Sequence, residues 1–395
     1  MSLTGPADVL TSEIHSLPTG SDADASGGLV DRVADLSGKL FELGSRADAD
    51  NRFPDSSIRL LIDAGVARAP LPRSAGGDEL DPRELARLVT TVSAADPGLG
   101  LVVAMHVVHS RRVFADVSVS PTLADAAAAI VGGSGFVSSL VSENRSIAPA
   151  RGGAVRARAI PTNGGWLLRT RKKYATGISA LSHAVVAATI DGENTLSHFL
   201  TPIDAATTRI EKTWDVIGLR TSGSDDIIFE DTFVPTDAQL PTDLVSQSSP
   251  WWSVVLAGLY RGIAEGAFRL ITDGGLPTQA DGAAPVDIPR VRGHVGEAAL
   301  SLLTVRSLVD SAAERFATGE LSPAESATVK LAAHRSATEV VDRVGRAFGT
   351  ASVWQTHPWQ RYFRDLRVGS HNSPSEDTTI DQLAREVLSS DPRTP

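Results

Sequence analysis

An α+β fold is predicted, in which a helical segment, a central β segment and a second helical segment follow one another along the chain. Three observations predict it. Apolar residues recur at helical spacing over 29–131, short β-type runs separated by turn signals fill 132–243, and the helical period returns over 244–395. Residues 1–28 stand apart as a flexible tail, because the Gly/Ser/Asp-rich stretch up to Gly28 carries too little apolar surface to offset its ordering entropy.

The helical pattern opens with Val30, Val33, Leu36, Leu40 and Leu43, and repeats in Ile58, Leu61, Ile62 and Val66 before a Pro/Gly-rich loop ends at Gly77. Asp81-Pro82 then supplies an N-cap and an N1 proline for a helix over Leu85 to Val92. Pro97-Gly98 breaks the chain ahead of another apolar helix through His109. In the β segment, VRARAI and WLLRTRKKYA flank the turn Thr162-Asn163-Gly164-Gly165, a hairpin signature. AVVAATI and TLSHFLTPI flank Asp191-Gly192-Glu193-Asn194, and DIIFEDTFVP follows, which predicts an antiparallel sheet or barrel between Phe136 and Pro235. Beyond Pro250 the clearest helix places Val329, Ala332, Ala333, Ala337, Val340, Val341, Val344 and Phe348 on one face. The Gly/Pro-rich insert from Gly274 to Pro289 reads as a surface loop, and the final SSDPRTP as a fraying end.

Composition narrows the function. With 395 residues, 42% apolar and 21% charged, the chain has the makings of a globular protein of two or three domains. Its 37 basic residues against 47 acidic ones give a formal charge of -10, which gives no electrostatic support to binding nucleic acid or an anionic membrane. Cysteine is absent, so disulfides, thiolate metal sites and cysteine nucleophiles are excluded. No run approaches the length of a membrane span and no signal-peptide pattern opens the chain, so a cytoplasmic protein is expected.

Three phrases carry a family resemblance. Trp214-Asp-Val-Ile-Gly-Leu-Arg-Thr-Ser-Gly-Ser224 is followed by Ile228-Phe-Glu-Asp-Thr-Phe-Val-Pro235; the others are Lys173-Tyr-Ala-Thr-Gly177 and Arg361-Tyr-Phe-Arg-Asp-Leu-Arg367, with Phe348-Gly349 ahead of the last. Together, and over about Leu29 to Leu388, they resemble the acyl-CoA dehydrogenase superfamily. The resemblance implies an N-terminal helical domain, a central β-barrel domain and a C-terminal helical bundle assembled as a homotetramer. It also implies a flavin, FMN or FAD, held by Tyr174, Thr176, Gly177, Arg220 and Ser224. An isoalloxazine ring needs a flat wall and hydrogen-bond donors near its polar edge, which Tyr174 and Thr176 could supply. A turn held by local Ser and Arg hydrogen bonds explains Arg220 and Ser224 equally well.

The departures from that family are as informative. Dehydrogenation beside a thioester needs a carboxylate within reach of the α-carbon. The family's usual Glu, nine residues after the Arg of the R-D pair, falls on Ser373, and its alternative place falls near Trp252. Glu265, Glu376 and Asp377 stand off those positions. The phrase before the sheet is reduced to Ser142-Glu143-Asn144-Arg145-Ser146, and an Arg-x-x-Phe-Gly element is replaced by the loop at Gly274. Histidines are present instead: His106 and His109 on the first-segment helix, and His371 after the R-D-L-R phrase. This is similar to the oxygenase branch of the fold, with dibenzothiophene monooxygenase, hydroxyphenylacetate hydroxylase and amino-sugar nitrososynthases. That branch implies a two-component monooxygenase, fed reduced flavin by a separate reductase and acting on a small aromatic, heterocyclic or amine-bearing molecule. His371, His109 and His106 are its catalytic candidates, each weighed against an ordinary surface or core histidine. No metal is expected, since no carboxylate-rich motif accompanies His106 and His109. A divergent acyl-CoA dehydrogenase and a non-catalytic scaffold subunit remain the alternatives.

Overall fold

The computed structural model describes residues 28–143, 155–193, 195–241, 249–276, 278, 282 and 284–389. The expected tail before residue 28, the Asn144-Arg145-Ser146 part of the reduced phrase and the last six residues lie outside the described residues.

Among the described residues six helices come first: α1 (Leu29–Asp35), α2 (Ser37–Ala49), α3 (Asp55–Ala64), α4 (Pro82–Ala95), α5 (Pro97–Val113) and α6 (Pro121–Val131). The first apolar stripe is split into two helices at Leu36. The cap signals at α4 hold: Asp81 accepts from the amides of Arg83 and Glu84, and Glu84 returns the bond to the Asp81 amide, with Pro82 at the first helical position. Asp96 caps α5 through the Leu99 amide at 3.1 Å. Every residue of α5 from Pro97 to Ser110 is buried, so this helix is the centre of the N-terminal layer.

The strands are β1 (Phe136–Leu140), β2 (Arg158–Thr162), β3 (Gly165–Lys172), β4 (Leu181–Ile190), β5 (Leu196–Pro202), β6 (Thr208–Glu211), β7 (Asp226–Pro235) and β8 (Gln239–Leu240). They pair in the order β6-β7-β3-β2-β4-β5-β8, with β1 added to β4. Both expected hairpins form, β2 with β3 and β4 with β5. Two features differ from expectation. The sheet is mixed, because β1 runs parallel to β4 from Leu181 to Val186, and β2 meets β4 in parallel at Thr189 and Ile190. It is also open: among the described residues no ladder joins β6 to β8, and strands of four and two residues are too short to close a barrel.

Five helices complete the chain: α7 (Pro250–Leu270), α8 (Pro289–Ala317), α9 (Pro323–Phe348), α10 (Trp359–Gly369) and α11 (Glu376–Ser389). Helix α7 packs on α4, α5, α8 and α9, joining the two helical segments. Gly262 and Gly266 permit its close approach to α4; a Cβ there would stand 2.4 Å from the Thr90 carbonyl oxygen and 2.3 Å from that of Ala94. No helix among the described residues is long and apolar enough to cross a membrane.

All three segments meet at one buried ion cluster. Arg361 of α10 pairs with the α5 cap Asp96 at 2.6 Å and lies 3.8 Å from Asp365, whose other oxygen accepts the Leu219 amide at 2.6 Å. Thr221 also donates to Asp96, at 2.6 Å. The R-D-L-R phrase therefore orients the end of α10, and with it the loop that carries His371.

Candidate active site

The two positions counted for a dehydrogenase base converge in space. Trp252, in the first turn of α7, donates its indole N–H to the Ser373 carbonyl oxygen at 2.6 Å. Neither residue is an acid. Two of the other three carboxylates are engaged elsewhere: Glu265 is buried between Arg261 and Arg306 at 2.9 and 3.0 Å, and Glu376 pairs with Arg335. Both arginines hold the Glu265 carboxyl below its usual range against the opposing effect of burial.

Residual exposure singles out one face of α5. On α5, Leu101 and Met105 keep 8% and His109 6%, while the residues between them keep 3% or less. These three lie at i, i+4 and i+8, which is one face of a helix. Trp252 at 7% and Thr176 at 8% share the property, and the His109 and Trp252 rings stand 6.3 Å apart. Thr176 meets the same helix through Gly177, where a Cβ would lie 2.7 Å from Val102 Cγ1.

The phrases that suggested a flavin are joined here. Ser224 donates to Thr176 Oγ1 at 3.1 Å and shares a hydrogen bond with Ser222 at 2.8 Å. The Gly177 amide donates to the Ser222 carbonyl oxygen at 2.8 Å, and the Ala175 amide to that of Asp225 at 3.0 Å. Gly177 has φ +70, a conformation that glycine adopts without strain. Tyr174 differs from the expected buried wall: it lies beyond β3 with φ +56, is 58% exposed, and sets its ring edge-on to Trp214 at 6.1 Å. Arg220 is a structural tie, donating to Asn51 Oδ1 and the Asp48 carbonyl oxygen, each at 2.9 Å.

The histidines separate clearly. His106 is a core residue: Nε2 donates to the Ala67 carbonyl oxygen at 2.7 Å, and Nδ1 accepts the Val137 amide at 3.1 Å with Ser110 Oγ 3.0 Å away. Both ring nitrogens are used, and burial pushes its pKa down to about 4, so it is not free for chemistry. His109 lies on the α5 face that carries Leu101 and Met105, its pKa pushed down to about 3 by burial and then by Arg112, His106 and His198. His198, on β5, is pushed down to about 4 by burial and Lys172, and the composition and motifs did not single it out. His371 is exposed on the loop after α10, its amide donating to the Val368 carbonyl oxygen at 3.1 Å.

Two hollows are lined by other residues, the first of them by Ser179, Gly223 and Asp225, which flank the linked hydroxyls. One of about 440 Å³ runs beside Arg220, Trp214 and Phe53. Another of about 690 Å³ is lined by Arg290, Arg346 and Arg367 with Trp359 and Phe363, whose rings stack at 5.0 Å. Guanidinium groups beside a flat aromatic wall are chemically suited to a phosphate-bearing ring compound.

Comparison with known proteins agrees with this geometry. The family "Acyl-CoA dehydrogenase, C-terminal domain" matches residues 254–388. YdbM of Bacillus subtilis, which carries an acyl-CoA dehydrogenase name, is 26% identical over 369 residues, covering 91% of this chain and 97% of that protein. The amino sugar nitrososynthase DnmZ of Streptomyces peucetius is 28% identical over 407 residues, covering 92% and 96%. Among solved structures, FMN-bound TdsC, a dibenzothiophene monooxygenase from Paenibacillus sp. A11-2, superposes with a TM-score of 0.81 at 20% identity, covering 91% and 97%. By its C-terminal domain and by likeness along its length, the chain resembles the acyl-CoA dehydrogenase superfamily, in which named monooxygenases and nitrososynthases stand beside named dehydrogenases.

Proposed function

We propose that the protein is a cytoplasmic flavin-dependent monooxygenase, working as a homotetramer with FMN or FAD reduced by a separate reductase, on a small aromatic, heterocyclic or amine-bearing substrate. The observation that carries this reading is the contact between Trp252 and Ser373, which fills both places for a dehydrogenase base with groups that cannot take an α-proton. The likeness to DnmZ and TdsC supports it.

The residues present fit a flavin. The linked hydroxyls of Thr176, Ser224 and Ser222 would meet its polar edge, Gly177 lets their loop pack closely on α5, and Leu101, Met105 and Trp252 would give an apolar wall. Reduced flavin supplies two electrons to dioxygen, so that one oxygen atom enters the substrate and the other leaves as water. The chain's part is to exclude water and orient the reactants. His109, kept neutral, offers one N–H donor and one lone pair inside that wall. His371, exposed on the loop after α10, is the second candidate.

A divergent acyl-CoA dehydrogenase is the second reading, favoured by the family match and by YdbM. The test separates the two. With chemically reduced flavin and a panel of phenols, thioethers and amines, His109→Ala and His371→Ala are expected to lower the ratio of product to hydrogen peroxide, by ~100-fold or more if either residue acts directly. An unchanged ratio in both variants on an accepted substrate overturns the oxygenase assignment of these residues. Anaerobic bleaching of bound flavin by an acyl-CoA would establish the dehydrogenase instead.

A further inference from the structure

Lys330 breaks the pattern of its helix. The sequence places α9's charged residues on the solvent side, yet Lys330 is buried, only 6% exposed. Its Nζ donates to the carbonyl oxygens of Asn372 and, at 2.6 Å, Pro374. The carbonyl between them, Ser373, is the one held by the Trp252 indole. Three successive carbonyls are thus fixed by two side chains from different helices. The same loop is fastened at Asn372, whose Nδ2 donates to Tyr260 at 3.2 Å, while Tyr260 donates to the Gly369 carbonyl oxygen at 2.7 Å.

We propose that Lys330 is a positioning residue for the active-site loop, its buried ammonium holding the Asn372 and Pro374 carbonyls so that His371 and Ser373 stay registered against Trp252. This rests on the reading of that loop as one wall of the site. A charge-assisted bond to a carbonyl is stronger than a neutral one, and a methylene chain alone could not replace it. The groups facing the ammonium are His334 one turn along α9, Tyr260 of α7 and Glu376 of α11, the last already paired with Arg335; Arg367 of α10 lies beyond His334. Burial pushes the Lys330 ammonium down to about 8. The clamp therefore weakens as the pH rises through that value, where the charged donor becomes a neutral amine.

Hydrogen exchange of peptides spanning 369–376 tests this without turnover. In the wild-type protein, protection corrected for intrinsic rates is expected to fall between about pH 7 and pH 9. Lys330→Met is expected to lose roughly tenfold or more of that protection at neutral pH and to lose its pH dependence, while peptides from α7 keep theirs. Lys330→Arg, permanently charged, should restore it across the range. Wild-type-like protection in Lys330→Met, or a wild-type protection that is flat with pH, overturns the proposal; the wild-type series decides alone if the Met variant fails to fold. If the exchange result holds while His371→Ala leaves the product ratio unchanged, the clamp stands and the oxygenase role of the loop falls.

Discussion

Asp365→Asn is the most exacting perturbation of the junction that orients the site. Arg361 is already matched by Asp96 at 2.6 Å, so Asp365, 3.8 Å away, is the surplus negative charge of a fully buried cluster. Burial pushes its pKa up to about 7, against the opposing effects of Arg361 and the Leu219 amide. The sign follows from linkage. The native state binds this proton more tightly than the unfolded chain, so the stability it contributes is fully present below about pH 4 and is lost as the pH rises through about 7. A shift from 3.8 to about 7, at about 1.4 kcal/mol per unit, sets a ceiling of about 4 kcal/mol. Asparagine keeps the carbonyl oxygen that accepts the Leu219 amide and removes only the titration. In urea unfolding at about pH 5, 6, 7 and 8, the stability of the variant relative to wild type is expected to climb with pH, by roughly 2 to 3 kcal/mol in all. A difference that stays flat over this range would refute the reasoning, since it would mean that Asp365 is ionised throughout.

Two further outcomes are expected. Gly177→Ala places a Cβ 2.7 Å from Val102 Cγ1 at a backbone φ of +70, so it should lower stability by about 1–3 kcal/mol and weaken flavin binding; Gly177→Ala with Val102→Ala should recover only the steric part, as read by thermal melts and flavin titration. His106, with its pKa pushed from 6.5 down to about 4, contributes stability present above about pH 6.5 and lost as the pH falls toward 4, up to about 3 kcal/mol, so His106→Gln should flatten that acid limb of the unfolding curve.

The legibility of this molecule from sequence divides along local and tertiary lines. The start of α4 was readable because Asp81, Pro82 and Glu84 encode their own cap within four residues. The β2–β3 and β4–β5 hairpins were readable from their turns. The parallel pairing of β1 with β4 was not, because Phe136 finds Leu181 across an intervening hairpin and no local signal marks that choice. The strand pattern left an antiparallel sheet or a barrel open and the resemblance implied the barrel, but closure depends on edge strands whose shortness the periodicity does not show. Thr176 and Ser224 meet through their hydroxyls, and Arg220 and His106 are hydrogen-bonded within the fold, which only tertiary partners reveal. Lys330 was missed for a related reason: a lysine on an amphipathic helix is by default assigned to water.

The loss of the base and the character of His109 point the same way. A carboxylate at residue 252 would bring an ionised group beside Leu101 and Met105, and the indole N–H that now serves the Ser373 carbonyl would be lost. The wall instead presents an imidazole whose pKa is pushed down to about 3, which makes it a poor acceptor for a carbon-bound proton. The same depression keeps it neutral at every physiological pH, with a donor and an acceptor fixed in one tautomer at a time. Such a group is ill suited to starting a dehydrogenation. On the reading proposed above, a neutral imidazole of this kind would instead hold a polar reactant through one donor and one acceptor.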